Sequence, residues 1–191
     1  MRVCNASLKS LSPYSQSRPF QSERGDGGNS KESADEFEKR AWRERIHQTE
    51  AGEVFIPPMS FTYALVIAVK RLGLKVPGRK GATFTKYFQS GIMVQAGPTL
   101  GVKAADVPGE WVYCHANGQR GSGTRVYRCF PLIKEWQAAV EFTVLDDTIP
   151  QDVFEMVLKE AGIFVGLGRF RPENLGYYGR FVIAKTEWTE Q

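Results

Sequence analysis

Apolar residues recur every three to four positions in two stretches of the chain, at 59–72 and 151–161. This spacing places them on one face of an α-helix, so both stretches are predicted to be helices that pack on a core. The apolar positions are Phe61, Ala64, Leu65, Ala68 and Leu72 in the first helix, and Val153, Phe154, Val157, Leu158 and Ala161 in the second. Ser60 is the predicted N-cap of the first helix, and Gly162 is predicted to end the second.

Short β-prone segments separated by turn residues fill much of the remaining chain. Strands are predicted at 2–9, 111–114, 125–130, 138–145 and 181–184. The second and third of these flank the glycine-rich segment 117–123, which predicts a β-hairpin with a long basic tip. The resulting order of strand, helix, strands, helix and strand corresponds to the β-α-β-β-α-β arrangement. The predicted fold class is therefore α+β, with a ferredoxin-like (RRM-like) core and an inserted β-hairpin.

Residues 11–50 lack an extended apolar pattern and are rich in Ser, Gly, Gln and charged side chains. Within them, the stretch 32–45 mixes both charge signs around Phe37 and Trp42, which is typical of a surface helix or of a segment ordered by a partner. The sequence thus predicts a single domain over residues 1–191, with 11–50 inserted in it as a flexible or partner-ordered arm.

The composition supports a folded core and excludes several classes of protein. The chain is 42% hydrophobic and 12% aromatic, and no apolar run reaches the roughly 20 residues that span a bilayer. The first residues lack the apolar stretch of a signal peptide. Cys4, Cys114 and Cys129 have neither the number nor the spacing of a disulfide framework or a zinc site. We expect a reduced, cytoplasmic protein without a cofactor and without a membrane partner.

The net charge is only +4, from 25 basic and 21 acidic side chains, but these charges are unevenly distributed. Residues 70–90 and 119–128 contain basic side chains and no acidic ones, and residues 169–180 hold three arginines against Glu173. Acidic residues gather instead at 141–160. The basic segments are also rich in glycine, which lets backbone N–H groups approach an anion closely.

Basic side chains neutralise phosphates, and aromatic side chains stack on unpaired bases. The predicted nucleic-acid-binding residues are Lys75, Arg79, Lys80, Lys86, Arg120, Arg125, Arg169, Phe170, Arg171, Tyr177, Tyr178 and Arg180. Neither predicted helix has a basic face, so a single strand held on an open β-surface fringed by basic loops is favoured over a duplex. The alternative is that Phe170 and Tyr178 belong to the core and that the charges serve solubility.

Two segments resemble a known family. Residues 55–65 open the first predicted helix with Phe-Ile-Pro-Pro-Met-Ser-Phe-Thr-Tyr-Ala-Leu. They are similar to the Ile-Pro-Gly-Ser-Ser-Leu-Lys segment at that place in the RAMP superfamily of CRISPR-associated RNA-binding proteins. Residues 166–181 resemble the glycine-rich loop that this family carries between its second helix and last strand. The resemblance covers 2–9 and 53–185, although the basic residue of the first family segment is replaced by Thr62.

The resemblance implies a non-catalytic protein that binds single-stranded nucleic acid, with RNA expected before DNA. It looks most like the backbone subunits, which implies homo-oligomeric assembly along the strand within a CRISPR-type nucleoprotein complex. Stand-alone members carried by phages or other mobile elements offer a different interpretation. In that interpretation the chain is a protein-interaction module that mimics or inhibits a host nucleoprotein complex, with the arm 11–50 as its docking segment.

A third interpretation is a ribonuclease, because some RAMP proteins use a loop aspartate or a histidine as general base. Asp26, Asp35 and His47 are the residues in question, and their alternative roles are a turn former, a helix-start acid and a surface residue. Residues 78–83 lack the residue order of a P-loop, which argues against nucleotide hydrolysis. Asp146 and Asp147 lack an evident third ligand, so no metal site is predicted.

Overall fold

The computed structural model describes residues 1–22, 32–116, 121 and 123–190, which form a mixed α+β fold with antiparallel sheets. The predicted α+β class is confirmed. The strands are β1 (Arg2–Ser10), β2 (Tyr14–Ser15), β3 (Glu53–Phe55), β4 (Ile92–Met93), β5 (Thr99–Lys103), β6 (Gly109–His115), β7 (Arg125–Ile133), β8 (Gln137–Val144) and β9 (Phe181–Glu190). The helices are α1 (Ala34–Ala41), α2 (Pro58–Leu72), α3 (Thr85–Gly91) and α4 (Gln151–Glu160).

The largest sheet has four strands in the order β4-β8-β1-β9, and each neighbouring pair is antiparallel. The long strands β1 and β8 lie at its centre, with Asn5 directly opposite Glu141. A three-stranded sheet has the order β2-β7-β6, and β3 pairs with β5 in a separate ribbon. All five predicted strands lie in or largely overlap observed strands, so these predictions are confirmed. They are the strands predicted at 2–9, 111–114, 125–130, 138–145 and 181–184.

Helices α2 and α4 cover one face of the four-stranded sheet through aromatic contacts. The ring of Phe142 on β8 lies 5.9 Å from that of Phe61 on α2 and 5.4 Å from that of Phe154 on α4. Trp188 on β9 completes the layer, at 5.4 Å from Phe154. The predicted apolar stripes therefore face the core as expected, because burying them removes their apolar surface from water.

Both predicted helices differ from expectation at one end. Ser60 does not cap α2: the helix begins at Pro58 after Pro57, and the Ser60 backbone N–H already bonds to the Pro57 carbonyl. Gly162 does not end α4 either, because a π-helical turn, Ala161–Val165, continues it. A Cβ on Gly162 would lie 2.3 Å from the Phe181 carbonyl oxygen, so glycine is required there for close packing against β9.

The described parts of the predicted arm pack against the domain. Helix α1 begins with a capping box between Ser33 and Glu36, and Phe37 and Trp42 are buried. The Glu38 carboxylate pairs with Arg45 and accepts the Cys129 backbone N–H of β7. The predicted surface helix is therefore present, and its inner side is attached to the three-stranded sheet. Residues 23–31 lie outside the described part of the chain.

No helix in the described residues is both long enough and apolar enough to cross a bilayer. The three cysteines are free. In the predicted hairpin, Trp111 rather than Cys114 lies opposite Cys129, so the two thiols occupy different positions of the ladder.

Candidate nucleic-acid interface

The hairpin of β6 and β7 presents aromatic side chains on one face. Directly opposite residues of an antiparallel pair share a face, and Tyr113 lies opposite Tyr127. Their ring centroids are 5.0 Å apart, and the residues are 56% and 57% exposed. Trp111, two residues before Tyr113, is 46% exposed on the same face. The Arg125 guanidinium lies 6.0 Å from the Tyr113 ring centre. The term aromatic face refers below to Trp111, Tyr113, Tyr127 and Arg125.

The other face of the hairpin meets the glycine-rich loop that follows the π-helical turn. Glu110 and Phe130 lie opposite each other on this face. The Tyr178 hydroxyl of the loop donates to Glu110 Oε1 at 2.5 Å. Burial raises the pKa of Tyr178 to about 12, and its hydrogen bond to the Glu110 carboxylate adds to this. The hydroxyl therefore keeps its proton and holds the loop to β6 at neutral pH.

Gly168 positions the next residue, Arg169. It has a φ of +74°, and a Cβ there would lie 2.3 Å from the Ser15 carbonyl oxygen of β2. The Arg169 backbone N–H donates to that same oxygen at 2.8 Å. A residue with a side chain at position 168 would be strained in this conformation and would collide with β2. The loop is thus fixed by its backbone to the three-stranded sheet.

The Arg169 guanidinium lies between two aromatic rings, 3.4 Å from the Phe130 centroid and 4.0 Å from the Phe170 centroid. Its side chain is only 9% exposed, and its closest carboxylate oxygen, Glu110 Oε2, is 3.8 Å away. Both terminal nitrogens lack a hydrogen-bond partner among the described residues. Burial lowers the pKa of Arg169 to about 10, while Glu110 opposes this shift. The group is therefore a buried cation at neutral pH with unused donors.

A cavity of about 550 Å³ adjoins this arginine. It is lined by Ser17, Tyr113, Cys114, His115, Gly121, Arg125, Phe130, Arg169 and Phe170. His115 Nε2 accepts the Gly121 backbone N–H at 3.3 Å, while its buried Nδ1 has no partner in the part of the chain that the structure describes. Among the described lining residues there are two arginines and no acidic side chain. The described lining is therefore positively charged, and the Glu110 carboxylate 3.8 Å from Arg169 partly offsets this charge.

The remaining predicted residues of the glycine-rich loop contact the loop itself or α2. Arg171 donates to the Gly168 carbonyl and to Glu173, and it lies over the ring of Tyr63. Arg180 donates to the carbonyls of Ile163 and Tyr177, at 3.1 Å each. Tyr177 itself is exposed. Arg171 and Arg180 thus stabilise the loop, and Arg169 is the loop arginine that is turned towards the cavity.

Two of the predicted basic residues at 75–86, Arg79 and Lys86, contact Tyr87. Arg79 donates to the Tyr87 hydroxyl at 2.5 Å, and Lys86 lies 5.0 Å from the Tyr87 ring centre. Lys75 and Lys80 are exposed. No hydrogen bond, ion pair or ring contact joins these four residues to the hairpin or to the glycine-rich loop within the described ranges. Arg120, predicted at the hairpin tip, lies outside the described residues.

The uncovered face of the four-stranded sheet differs from the expected stacking surface. Its central exposed positions are Asn5, Ser7, Ala139, Glu141, Lys185 and Glu187. None of these side chains is aromatic, and the charged ones are of both signs. Phe142 and Trp188 of the sheet are turned towards α2 and α4 instead. Exposed aromatic residues occur elsewhere, on the hairpin (Trp111, Tyr113 and Tyr127), in the glycine-rich loop (Phe170 and Tyr177) and at Tyr63 and Phe164.

The residues considered for catalysis do not form a site in the described structure. Asp35 is exposed in the first turn of α1. His47 is half-buried, with its ring 5.8 Å from that of Phe55. No hydrogen bond or ion pair joins Asp35 to His47, and Asp26 is outside the described ranges. No cluster of three potential metal ligands occurs among the described residues.

Several residues of the interface were not singled out from the sequence. They are Glu110, Trp111, Tyr113, His115, Tyr127 and Phe130. The alternation of Trp111, Tyr113 and His115 along a predicted strand was the available signal, because every second residue of a strand shares a face. Comparison with models of known protein families and with curated proteins gave no match to this chain.

Proposed function

We propose that this chain is a RAMP-like, non-catalytic protein that binds single-stranded nucleic acid, with RNA preferred to DNA. The observation that carries the proposal is the aromatic face, on which Tyr113 and Tyr127 are more than half exposed beside Arg125. Exposed aromatic rings next to a cation provide stacking for unpaired bases and neutralisation for phosphate. The cavity that holds Arg169 is lined by Tyr113 and Arg125 as well, so a second cationic group adjoins this face.

The arrangement of the main sheet supports a ferredoxin-like core within this proposal. The connection from β1 to β4 contains α2, and the connection from β8 to β9 contains α4. The two central strands are the first and third strands of this β-α-β-β-α-β series, and both helices pack on one face of the sheet. The hairpin of β6 and β7 is then an insertion between the second and third core strands, β4 and β8. In the two-stranded ribbon, β3 precedes α2 and β5 follows β4.

A single strand fits the interface better than a duplex. The exposed positions of α4 are Gln151, Asp152, Met156 and Lys159 rather than a row of basic residues. Helix α4 therefore does not offer the basic face that enters a major groove. A short, exposed aromatic face suits bases that are already unstacked, because stacking on protein rings requires a free base surface.

Replacing Tyr113 with alanine tests the proposal. Loss of one stacking ring is expected to weaken binding of a labelled single-stranded RNA by about 1–3 kcal/mol, measured by fluorescence polarisation at about 50 mM salt. Tyr113→Phe should retain most of the affinity, since the ring remains. Phe164→Ala is the control, because Phe164 is an exposed aromatic residue of the π-helical turn whose ring contacts Arg71 of α2 and lies outside the aromatic face.

The proposal fails if the wild-type chain shows no binding to single-stranded RNA or DNA under these conditions. It also fails if Tyr113→Ala and Phe164→Ala weaken binding equally. Binding that is insensitive to salt would contradict the contribution of Arg125, because phosphate contacts release counterions.

The protein-docking alternative depends on the 11–50 segment, and the described aromatic side chains of that segment weigh against it. Phe20 stacks edge-on against Phe37 at 5.0 Å, and Trp42 is buried. These aromatic side chains of the 11–50 segment contact the domain rather than project from it. If native purification recovered a stoichiometric protein partner without nucleic acid, and if Tyr113→Ala abolished that partner, the aromatic face would be a protein interface instead.

A further inference from the structure

The hairpin places a histidine beside an arginine at the end of the aromatic face that is nearest its tip. His115 of β6 lies directly opposite Arg125 of β7, two residues beyond the pair Tyr113–Tyr127. Every second residue of a strand shares a face, so all four side chains are on the same side of the hairpin. Directly opposite residues of an antiparallel pair have Cβ atoms about 4.5–5.5 Å apart. The side chains of His115 and Arg125 are therefore within reach of one small group.

No acidic side chain shares this face of the hairpin. The residues of β6 and β7 on it are Gly109, Trp111, Tyr113, His115, Arg125, Tyr127, Cys129 and Pro131. Arg169 and the Glu110 carboxylate that partly offsets its charge belong to the other face, where Glu110 lies opposite Phe130. A ligand held by His115 and Arg125 therefore meets a net positive charge on this side of the hairpin.

His115 and Arg125 both have hydrogen-bond donors that no described residue uses. The Nε2 of His115 accepts the Gly121 backbone N–H at 3.3 Å, so the proton of the neutral ring is on Nδ1. That Nδ1 is buried and has no partner within the described ranges. Arg125 is exposed, and its guanidinium adjoins only the Tyr113 ring, without a hydrogen bond or ion pair to a described residue. A buried donor without an acceptor is unfavourable, which indicates that a ligand supplies the acceptor.

The donors and the spacing at this end of the hairpin fit a phosphodiester. Its negative charge is shared by its free oxygens, which match one imidazole N–H and one guanidinium. Tyr113, His115 and Arg125 all line the cavity of about 550 Å³, so an oxyanion has room beside the Tyr113 ring. Two residues of a strand span about 6.8 Å, so the donors lie one step along β6 from a ring that can stack a base. A base on Tyr113 and a phosphate on the two donors are then consecutive groups of one strand.

We infer that His115 and Arg125 together bind one phosphodiester of a single strand, next to the nucleotide whose base stacks on Tyr113. The strand then runs along the hairpin, from the ring pair Tyr113–Tyr127 towards the tip. His115 becomes a phosphate-binding residue, and the Gly121 N–H holds it in the tautomer that donates from Nδ1. This inference rests on the proposed function, because it requires that a strand binds on the aromatic face.

Two amide variants of His115 test the Nδ1 donor. The amide nitrogen of asparagine is as many bonds from Cα as Nδ1, and that of glutamine as many as Nε2, so only His115→Asn keeps a donor for the phosphate. His115→Gln should bind a labelled single-stranded RNA of about ten residues roughly tenfold more weakly than the wild type, and His115→Asn within about threefold. Fluorescence polarisation at about 50 mM salt measures both. His47→Gln is the control, since it makes the same change at the other histidine, beside Phe55, and should leave the affinity unchanged.

Two further measurements show whether the contact is to a phosphate and whether Arg125 shares it. A peptide nucleic acid of the same base sequence has no phosphate, so His115→Gln should bind it as tightly as the wild type, whereas Tyr113→Ala should bind it more weakly. If His115→Gln and Arg125→Ala remove contacts to the same phosphate, the loss in the double variant is well below the product of the two single losses. Circular dichroism checks folding, and His115→Phe, which also lacks the Nδ1 proton, replaces His115→Gln if that variant does not fold.

The outcomes separate this inference from the proposed function. If RNA binds and Tyr113→Ala weakens it, but His115→Gln binds as tightly as His47→Gln, the phosphate contact is overturned while the proposed function stands. If His115→Gln weakens the peptide nucleic acid as much as the RNA, His115 only supports the aromatic face and the inference is overturned. Single losses that multiply in the double variant would assign His115 and Arg125 to different groups, which overturns the shared site. If the wild type binds no strand, the proposed function fails and this inference fails with it.

Discussion

The Glu38 carboxylate is buried between α1 and β7, where it contacts two guanidinium groups. Arg45 donates to its two oxygens at 2.6 and 3.2 Å, and Arg128 donates at 3.1 Å. The Cys129 backbone N–H donates to it as well, at 2.8 Å. Burial lowers the pKa of Arg45, with Glu38 opposing the shift. One carboxylate therefore compensates two cations beneath the hairpin that carries the aromatic face.

Glu38→Gln should destabilise the protein by about 3–5 kcal/mol, because it leaves the buried Arg45 without its counter-charge. Urea unfolding followed by tryptophan fluorescence measures the change. Glu36→Gln is the matched control: Glu36 is exposed in the capping box of α1, where glutamine is also accepted, so its loss should be much smaller. Equal losses in the two variants would show that Glu38 does not have this role.

The pKa of His47 predicts the direction in which the stability of the fold changes with pH. Burial, and secondarily the charge of Arg18, lower the pKa of His47 below its ordinary value of 6.5. The unfolded chain therefore binds more protons than the folded chain between the folded pKa and 6.5, so stability rises with pH across this window. Acidification from pH 7 towards 5.5 should lower the unfolding midpoint.

His47→Gln should reduce this decrease, because glutamine does not titrate. Thermal unfolding at several pH values between 7 and 5.5 provides the measurement, and this range lies above the ordinary titration of carboxyl groups. The His47 ring signal in a proton NMR titration reports its pKa directly. A titration midpoint at or above 6.5 would refute the prediction.

At the scale of elements, periodicity predicted where α2 and α4 lie but not how they begin or end. The stripes of apolar residues depend on neighbours within one or two turns, so Phe61 and Phe154 are on the predicted faces. The ends depend on other parts of the chain. Gly162 is needed because Phe181 of β9 lies against it, which the local sequence does not reveal. The seven-residue helix α3 was not predicted, since it is too short to show a stripe.

Two serines test the capping of helices. Ser33 accepts the Glu36 N–H as the N-cap of α1, whereas Ser60 lies inside the first turn of α2 without a capping bond. Ser33→Ala should therefore lower stability by about 1 kcal/mol, and Ser60→Ala by less than about 0.5 kcal/mol. Chemical unfolding of both variants measures the difference. A larger loss for Ser60→Ala would mean that the helix begins as the sequence alone had indicated.

At the scale of the whole molecule, the three free thiols differ in accessibility. Cys4 and Cys129 are buried, and burial raises their pKa values to about 12 and about 11. Glu155 adds to the first shift and Glu38 to the second. Cys114 is only partly buried. Because the thiolate is the reactive form, Cys114 should be the thiol that reacts in the native protein.

Labelling with iodoacetamide at about pH 8 should modify one thiol in the native chain and three after unfolding, as counted by mass spectrometry. Cys114→Ser should remove the native reaction. Rapid labelling of Cys4 or Cys129 in the folded chain would contradict the burial of the central strand β1 or of β7.

The sequence by itself determined the α+β class, the positions of the two main helices and the hairpin, because these follow from periodicities over neighbouring residues. It also determined that basic residues cluster in glycine-rich segments. Only the tertiary structure decided which of them have free donors. Arg171 and Arg180 bond within their own loop, while Arg169 is placed between Phe130 and Phe170 beside Glu110. Burial and pairing depend on residues distant in sequence, and local composition does not encode those contacts.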